Sequence, residues 1–173
     1  MRQLKRLLTS AAVSALAMGS VSAVGSSAVA AADGNATAGE SGAKIVPFST
    51  LFRRCDHTDV TNVEGGGDGQ GFAAISRDGS TVRADVTFQA ATPDTTYGVR
   101  LIEMPRSPVD SCDRGGPGTV VTYPTTDGGG NFYVTLQEDV APGATGAWVF
   151  IDGPHSGSKP YGEYYTSDFV AAI

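Results

Sequence analysis

Positively charged residues are scarce in this chain of 173 residues, where 12 lysines and arginines stand against 18 acidic residues and the net charge is −6. Nucleic-acid binders hold phosphates with clustered cations, so we expect no nucleic-acid partner. Only 17% of the residues are charged, whereas 23 are glycine and nine are proline. Because glycine costs about 1 kcal/mol at each interior helix position, this content argues against an all-helical protein. The composition predicts an acidic, turn-rich domain.

A long uncharged stretch occurs only at the N-terminus. Three cations lie within the first six residues, an uncharged segment runs from Leu7 to Val24, and Ala28-Val29-Ala30 fits the A-x-A cleavage rule. The segment is close to the minimum length that spans a bilayer and is diluted by serine and glycine, which favours a cleaved leader over a membrane anchor. We therefore predict a signal peptide over residues 1–32 and no transmembrane anchor in the mature form.

The segment that follows the leader is poor in apolar residues. Residues 33–47 are mostly glycine, alanine, serine and threonine and indicate a flexible tether. Residues 48–173 form the predicted domain. Removal of residues 1–32 takes away three cations and no acid, which leaves nine cations against 18 acids and a net charge of −9. Such a surface repels anionic lipid, and we expect a protein that is secreted, in the medium or at the cell envelope.

Helical periodicity is missing from the predicted domain, in which apolar runs alternate with turn residues. The clearest element, Thr81–Gln89, alternates apolar and polar residues strictly, which is typical of a half-buried antiparallel strand. Asp78-Gly79 before it indicates a tight hairpin turn. The pattern predicts an all-β, antiparallel β-sandwich of the immunoglobulin-like or Greek-key kind, with about seven or eight strands. Further strands are predicted at 51–60, 72–75, 97–102, 119–123 paired with 132–136, 147–151 and 164–173.

The chain has only two cysteines and two histidines. In an exported protein an even number of cysteines favours a disulfide, here Cys55–Cys112, which would tie the predicted strand 51–60 to the long loop 105–118. A metal site at Cys55, His57, Cys112 and His155 is the alternative. Zinc sites draw on paired ligands at short spacing, which are missing here, and two histidines are too few for a copper- or zinc-dependent enzyme of the superoxide dismutase type. We expect no metal and no cofactor.

Catalytic motifs are also missing. His57, flanked by Asp56 and Asp59, allows a hydrolase hypothesis, with Cys55, His57 and Asp59 on one face of an extended segment. His155 is followed by Ser156, but the string is not G-x-S-x-G. The glycine-rich segments 64–71 and 127–130 lack the lysine of a phosphate loop and the acidic order of a calcium loop. We interpret both as connections between strands.

Aromatic residues are concentrated late in the chain. Trp148 has apolar neighbours on both sides and is expected in the core. Tyr161, Tyr164 and Tyr165 follow Pro160 or Gly162, which places them beside a loop. Exposed aromatic side chains anchor partners at interfaces, so these tyrosines, with His57, are the candidate ligand surface.

Several segments together resemble small exported proteins of mycobacteria and related actinobacteria. They are the leader, Cys55-Asp56-His57-Thr58, Tyr97–Ile102, Gly146–Ile151 and Tyr165–Val170. The resemblance implies export to the envelope or medium of an actinobacterium, and it brings no activity with it.

These observations favour a secreted, non-enzymatic binding domain that meets an unknown protein or glycan at the cell envelope or on a host. Two alternatives stay open at this point. One is a small secreted hydrolase centred on His57, and the other is a carbohydrate-binding module that uses Tyr161, Tyr164 and Tyr165.

Export is directly testable. Because the leader ends in several small residues, N-terminal sequencing of protein from culture medium should begin between residues 24 and 33. Recovery of the intact chain from membranes alone would contradict the prediction.

Overall fold

The computed structural model describes residues 42–63, 66–113, 116–155 and 162–173, and these ranges contain nine strands and no helix. The predicted signal peptide and most of the predicted tether lie outside them. All strand pairs are antiparallel. The strands are β1 (Lys44–Ser49), β2 (Gln70–Asp78), β3 (Thr81–Gln89), β4 (Gly98–Met104), β5 (Thr119–Thr122), β6 (Phe132–Asp139), β7 (Gly146–Asp152), β8 (Tyr164–Ser167) and β9 (Ala171–Ala172).

One hydrogen-bonded path joins the strands in the order β5-β4-β7-β8-β1-β2-β3-β6, and β9 pairs with β7 beside it. Strand β1 belongs to both halves, because Lys44–Pro47 pair with β2 whereas Phe48 and Ser49 pair with β8. The two ends of the path, β5 and β6, lie next to each other, so the sheet is nearly closed as a barrel. The predicted all-β antiparallel class is confirmed, and the division into the two sheets of a sandwich is not.

The interior of this sheet is the hydrophobic core. Strict alternation on β3 places Val82, Ala84, Val86 and Phe88 inside with no exposed surface. On β7, Ala147, Val149 and Ile151 belong to the same core. Because successive side chains of a strand point to opposite faces, Trp148 and Phe150 lie on the outer face of β7. Trp148 is nevertheless fully buried, so a further layer covers that face.

The predicted strand over residues 51–60 is wrong. Residues 51–60 form no strand beyond an isolated bridge between Arg53 and Asp59, and His57 has a φ of 62° that interrupts an extended chain. The first strand is instead β1, whose residues Lys44–Pro47 fall within the predicted tether. The alternation of apolar and polar residues in β1 is too short to stand out in the sequence. Its pairing with β2 and β8 is a tertiary contact, which a local pattern does not predict.

The predicted hairpin between residues 119–123 and 132–136 is also wrong, although both strands exist. Strand β5 pairs with β4, and β6 pairs with β3. The turn between them, Asp127–Asn131, is closed by the Asp127 carboxylate, which accepts hydrogen bonds from the backbone of Gly129 at 2.8 Å and Asn131 at 2.9 Å. The turn therefore joins two adjacent strands that share no backbone ladder.

This turn generates a stability prediction. Gly130 has a φ of 76°, and a Cβ there would lie 2.1 Å from the carbonyl oxygen of Ala91. Gly130→Ala should therefore lower the free energy of unfolding by about 2 kcal/mol or more. Gly128→Ala is the matched control, because a Cβ at Gly128 meets no atom within 4 Å. Equal midpoints of chemical unfolding for the two variants would contradict the described turn.

Candidate functional site

A loop covers the outer face of β7 and β8, and residues 50–63 are called the cover loop here. Phe52 packs edge-on against Phe150 and Tyr164, with ring centroids 5.9 and 5.0 Å away. The ring of His57 lies 5.0 Å from that of Trp148. The cover loop thus forms a second, smaller aromatic core outside the barrel, which accounts for the burial of Trp148.

Buried polar contacts fix the cover loop to β8. The Arg53 guanidinium is buried and donates to the hydroxyl of Thr166 at 2.6 Å and the carbonyl of Ser167 at 3.0 Å. Its Nε pairs with the Asp59 carboxylate at 2.9 Å. Thr166 in turn donates to the carbonyl of Leu51 at 2.7 Å. A charged group buried in this way is stable only when it is paired and hydrogen-bonded, as Arg53 is.

The predicted disulfide between Cys55 and Cys112 is confirmed, with Cα atoms 5.5 Å apart across 57 residues of sequence. It joins the cover loop, rather than a strand, to the long loop 105–118. Both cysteines are oxidised, so neither is a thiolate ligand or nucleophile, and the metal hypothesis at Cys55, His57, Cys112 and His155 loses two of its four ligands.

His57 has contacts that differ from those of a catalytic base. Its Nε2 donates to the carbonyl of Ser167 at 2.9 Å. Asp56 accepts hydrogen bonds from Thr58, and Asp59 pairs with Arg53. Burial is the main cause that lowers the pKa of His57, which favours the neutral ring. The prediction that Cys55, His57 and Asp59 share one face of a strand is wrong, because this segment turns at His57.

The predicted tyrosine platform does not form at Tyr164 and Tyr165, which are 0% and 1% exposed. Tyr164 lies under the cover loop and donates to the carbonyl of Val63 at 3.0 Å. The Tyr165 hydroxyl accepts from the backbone of Gly69 at 3.0 Å and donates to Glu163 at 3.2 Å. Strand β8 lies between β7 and β1 and is covered on both faces, which is why its aromatic residues are inside. Tyr161 lies outside the described residues.

Among the described residues, no segment covers the outer face of β1, β2, β3 and β6, and it is called the open face here. Register places Pro47, Phe72, Thr87 and Tyr133 in one row across the four strands. The next row consists of Ile45, Ala74, Asp85 and Thr135. Ile45, Phe72 and Tyr133 are 57%, 39% and 65% exposed, which is high for large apolar side chains.

A polar network orders the centre of the open face. Arg83 donates two hydrogen bonds to the Asp85 carboxylate, at 2.8 and 2.6 Å, and Tyr133 and Thr135 donate at 2.9 and 2.5 Å. These donors, Arg83 first, lower the pKa of Asp85 to about 2. The Tyr133 ring, exposed to solvent, is therefore held by its hydroxyl in a defined orientation.

A depression of about 490 Å³ lies beside the apolar part of the open face. Its lining residues are Phe48, Gln70, Gly71, Phe72, Thr87 and Gln89. Phe72 and Thr87 belong both to this depression and to the first row of the open face. The face thus combines a flat apolar strip, an ordered polar patch and a recess at one margin.

Comparisons with protein-family models, with curated proteins and with solved structures found no match to this chain. In the described ranges, no helix is long and apolar enough to cross a bilayer. The same ranges contain no group of three or more His, Cys, Asp or Glu side chains placed to share a metal ion.

Sequence reasoning missed the open face, although a signal for it exists. The alternation that placed Val82 and its partners inside also places Arg83, Asp85 and Thr87 outside. On β6 the inward assignment of Phe132, Val134 and Leu136 leaves Tyr133 and Thr135 outside. The sequence alone does not show which outer faces of the sheet are covered by another segment.

The single tryptophan reports on the cover loop. Reduction of the disulfide, or the double variant Cys55→Ser/Cys112→Ser, should release the loop and shift the fluorescence of Trp148 to longer wavelength. The chain-entropy model gives a loss of stability of about 4 kcal/mol for a loop of this length.

Tyr133→Phe is the control, because it removes a hydroxyl from the open face and should leave Trp148 fluorescence unchanged. An unaltered emission maximum in the reduced, still folded protein would show that the loop covers Trp148 without the disulfide.

Proposed function

We propose that this protein is an exported, non-enzymatic binding domain and that the open face is its contact surface for a protein partner. One observation carries the proposal: Ile45, Phe72 and Tyr133 are exposed on a face that the cover loop leaves bare, whereas the equivalent face of β7 and β8 is sealed. Exposed apolar clusters with a polar surround mark interaction sites.

The make-up of the open face favours a protein over a glycan. Ile45, Pro47, Phe72 and Ala74 are contiguous across β1 and β2, which makes an apolar strip rather than a single aromatic platform. Arg83 and Asp85 border it and neutralise each other. An apolar centre with a polar rim is the usual composition of a protein interface. The depression beside Phe72 has room for one anchoring side chain.

The contacts of the candidate catalytic and binding residues support the proposal that the protein is not an enzyme. His57 binds Ser167, both cysteines are joined, and Tyr164 and Tyr165 are buried. These contacts count against the hydrolase centred on His57, and the burial of Tyr164 and Tyr165 counts against two of the three tyrosines of the carbohydrate-binding alternative.

Secretion, or residence at the cell envelope, is part of the same proposal. A disulfide that closes a surface loop is compatible with an oxidising compartment. The leader over residues 1–32 and the resemblance to exported actinobacterial proteins point the same way. With the leader removed, the acidic surface disfavours nucleic acid and anionic lipid as partners.

The open face is tested by substitution. A partner captured from envelope fractions or host lysate and then purified should bind Phe72→Ala and Tyr133→Ala at least about tenfold more weakly than the natural chain, since these residues would be central anchors.

Val109→Ala is the control, because Val109 is 89% exposed but lies in the loop 105–118. Equal affinity of all four proteins would exclude the open face. Binding to a glycan array that is lost in Tyr133→Ala, without any protein partner, would replace this proposal by the carbohydrate-binding one.

A further inference from the structure

A cavity of about 310 Å³ lies at the end of the barrel where β4 ends and β7 begins. Its lining comes from Glu103 on β4, from the loop 105–118 and from the turn between β6 and β7. None of the lining residues belongs to the two rows of the open face. An inference from this cavity therefore goes beyond the proposed function.

The lining of the cavity changes from exposed residues to buried ones. Pro105, Pro117 and Pro142 are exposed, whereas Glu103 and Gly118 are buried. Proline has an apolar ring and no backbone N–H, so these three residues make the outer part of the lining largely apolar. A ligand that enters the cavity therefore meets proline rings first and the Glu103 carboxyl group last.

The Glu103 carboxyl group lacks a counter-charge. Its residue is only 3% exposed, its Oε2 accepts a hydrogen bond from the Ala141 amide at 2.7 Å, and its Oε1 has no hydrogen-bond partner among the described residues. The ion pairs of the described residues do not include Glu103. A carboxylate offers about four acceptor sites and is stable in a buried position only when it is paired and hydrogen-bonded. One amide donor leaves that requirement unmet.

Gly118 leaves an empty position beside this carboxyl group. A Cβ at Gly118 would lie 2.9 Å from Oε2 of Glu103 and 3.4 Å from the Cβ of Ala141. Gly118 and Ala141 both line the cavity, so the Oε2 between them borders it. This oxygen can therefore accept a second hydrogen bond, from a group in the cavity.

The charges of the lining favour a ligand with one positive charge. Two acids, Glu103 and Asp110, stand against one cation, Arg106, which gives the lining a formal charge of −1. The Arg106 guanidinium donates to the carbonyls of Ser111 and Pro117 and to the hydroxyl of Thr119. Arg106 is thus bonded to neutral oxygens near its own loop, and a monovalent cation at Glu103 would bring the lining to neutrality.

We propose that this cavity is a binding site for an alkylammonium group, which is the chemistry of a lysine side chain and of a small free amine. The ammonium donates to Oε2 of Glu103, and the alkyl chain lies among the proline rings. The space beside Oε2 is that of a single Cβ, so it suits a compact ammonium better than a planar guanidinium.

The test uses n-butylammonium chloride as the probe, at constant ionic strength, with the amide resonances of the natural chain as the readout. The amides of Gly118 and Ala141 should shift saturably, and the neutral probe 1-butanol should not reproduce these shifts. Glu103→Gln keeps a carbonyl acceptor for the Ala141 amide and removes the charge. Its affinity for the probe should therefore be at least about tenfold weaker.

Asp168→Asn is the matched control, because it makes the same change in net charge at an exposed residue outside the lining. It should bind the probe like the natural chain. Equal affinity in Glu103→Gln, or no saturable shift at Gly118 and Ala141, would overturn the proposal. If Glu103→Gln does not fold, Asp110→Asn tests the same charge at an exposed lining residue, and it should bind about twofold more weakly at low ionic strength. Unchanged affinity there would also count against the site.

A second probe distinguishes the two sources of the ammonium. Nα-acetyl-lysine methylamide has the same alkylammonium group on a short stretch of peptide backbone. Tighter binding of this probe than of n-butylammonium would assign the site to a lysine of a protein partner. Equal binding would assign it to a small free amine, and binding of neither probe would overturn the proposal.

Discussion

The attachment of the cover loop to β8 is the constraint on which the rest of the domain depends. A nearly closed antiparallel sheet buries its inner face by itself, but Trp148, Phe150 and Tyr164 put a large aromatic surface on the outside. The cover loop supplies the missing layer with Phe52 and His57. Such a loop has little secondary structure of its own, so its position rests on the hydrogen bonds of Arg53 and on the disulfide of Cys55.

This arrangement makes the two halves of the sheet unequal. The half that contains β7 and β8 is buried on both faces, with apolar residues on both faces of β7 and with Thr166 and Ser167 among the buried residues of β8. The half that contains β3 and β6 is bare outside, and its strands alternate. His57 and Tyr164, which the sequence suggested as functional residues, lie on the covered half. His57 packs against Trp148, and Tyr164 lies under the cover loop. The surface that we propose for a partner is the open face, on the other half of the sheet.

Local patterns predicted what depends on local geometry. The alternation of Thr81–Gln89 predicted β3 to the residue, and two cysteines in a chain with a predicted leader left one pairing. Local patterns do not determine which strands pair with each other. Asp127–Asn131 resembles a hairpin turn, but it carries the chain from β5 to β6, which bond to different neighbours, since long-range pairing is decided by the whole sheet. Burial of Tyr165 likewise depends on β1 and β7, which no window around it contains.

The strand path also explains where charge enters the interior. Unpaired edges are the weak points of a sheet, and this path has its two ends at β5 and β6. Elsewhere the inward positions of β4 and β6 are apolar, as Leu101 and Leu136 are. Between β5 and β6 the described strands form no backbone ladder, so an inward side chain with an acceptor group can bind a backbone amide there. Glu138 on β6 and Glu103 on β4, the neighbour of β5, are side chains of this kind, and Glu103 accepts a hydrogen bond from the Ala141 amide at 2.7 Å. The two glutamates therefore place carboxyl groups in the interior where the barrel lacks one backbone ladder.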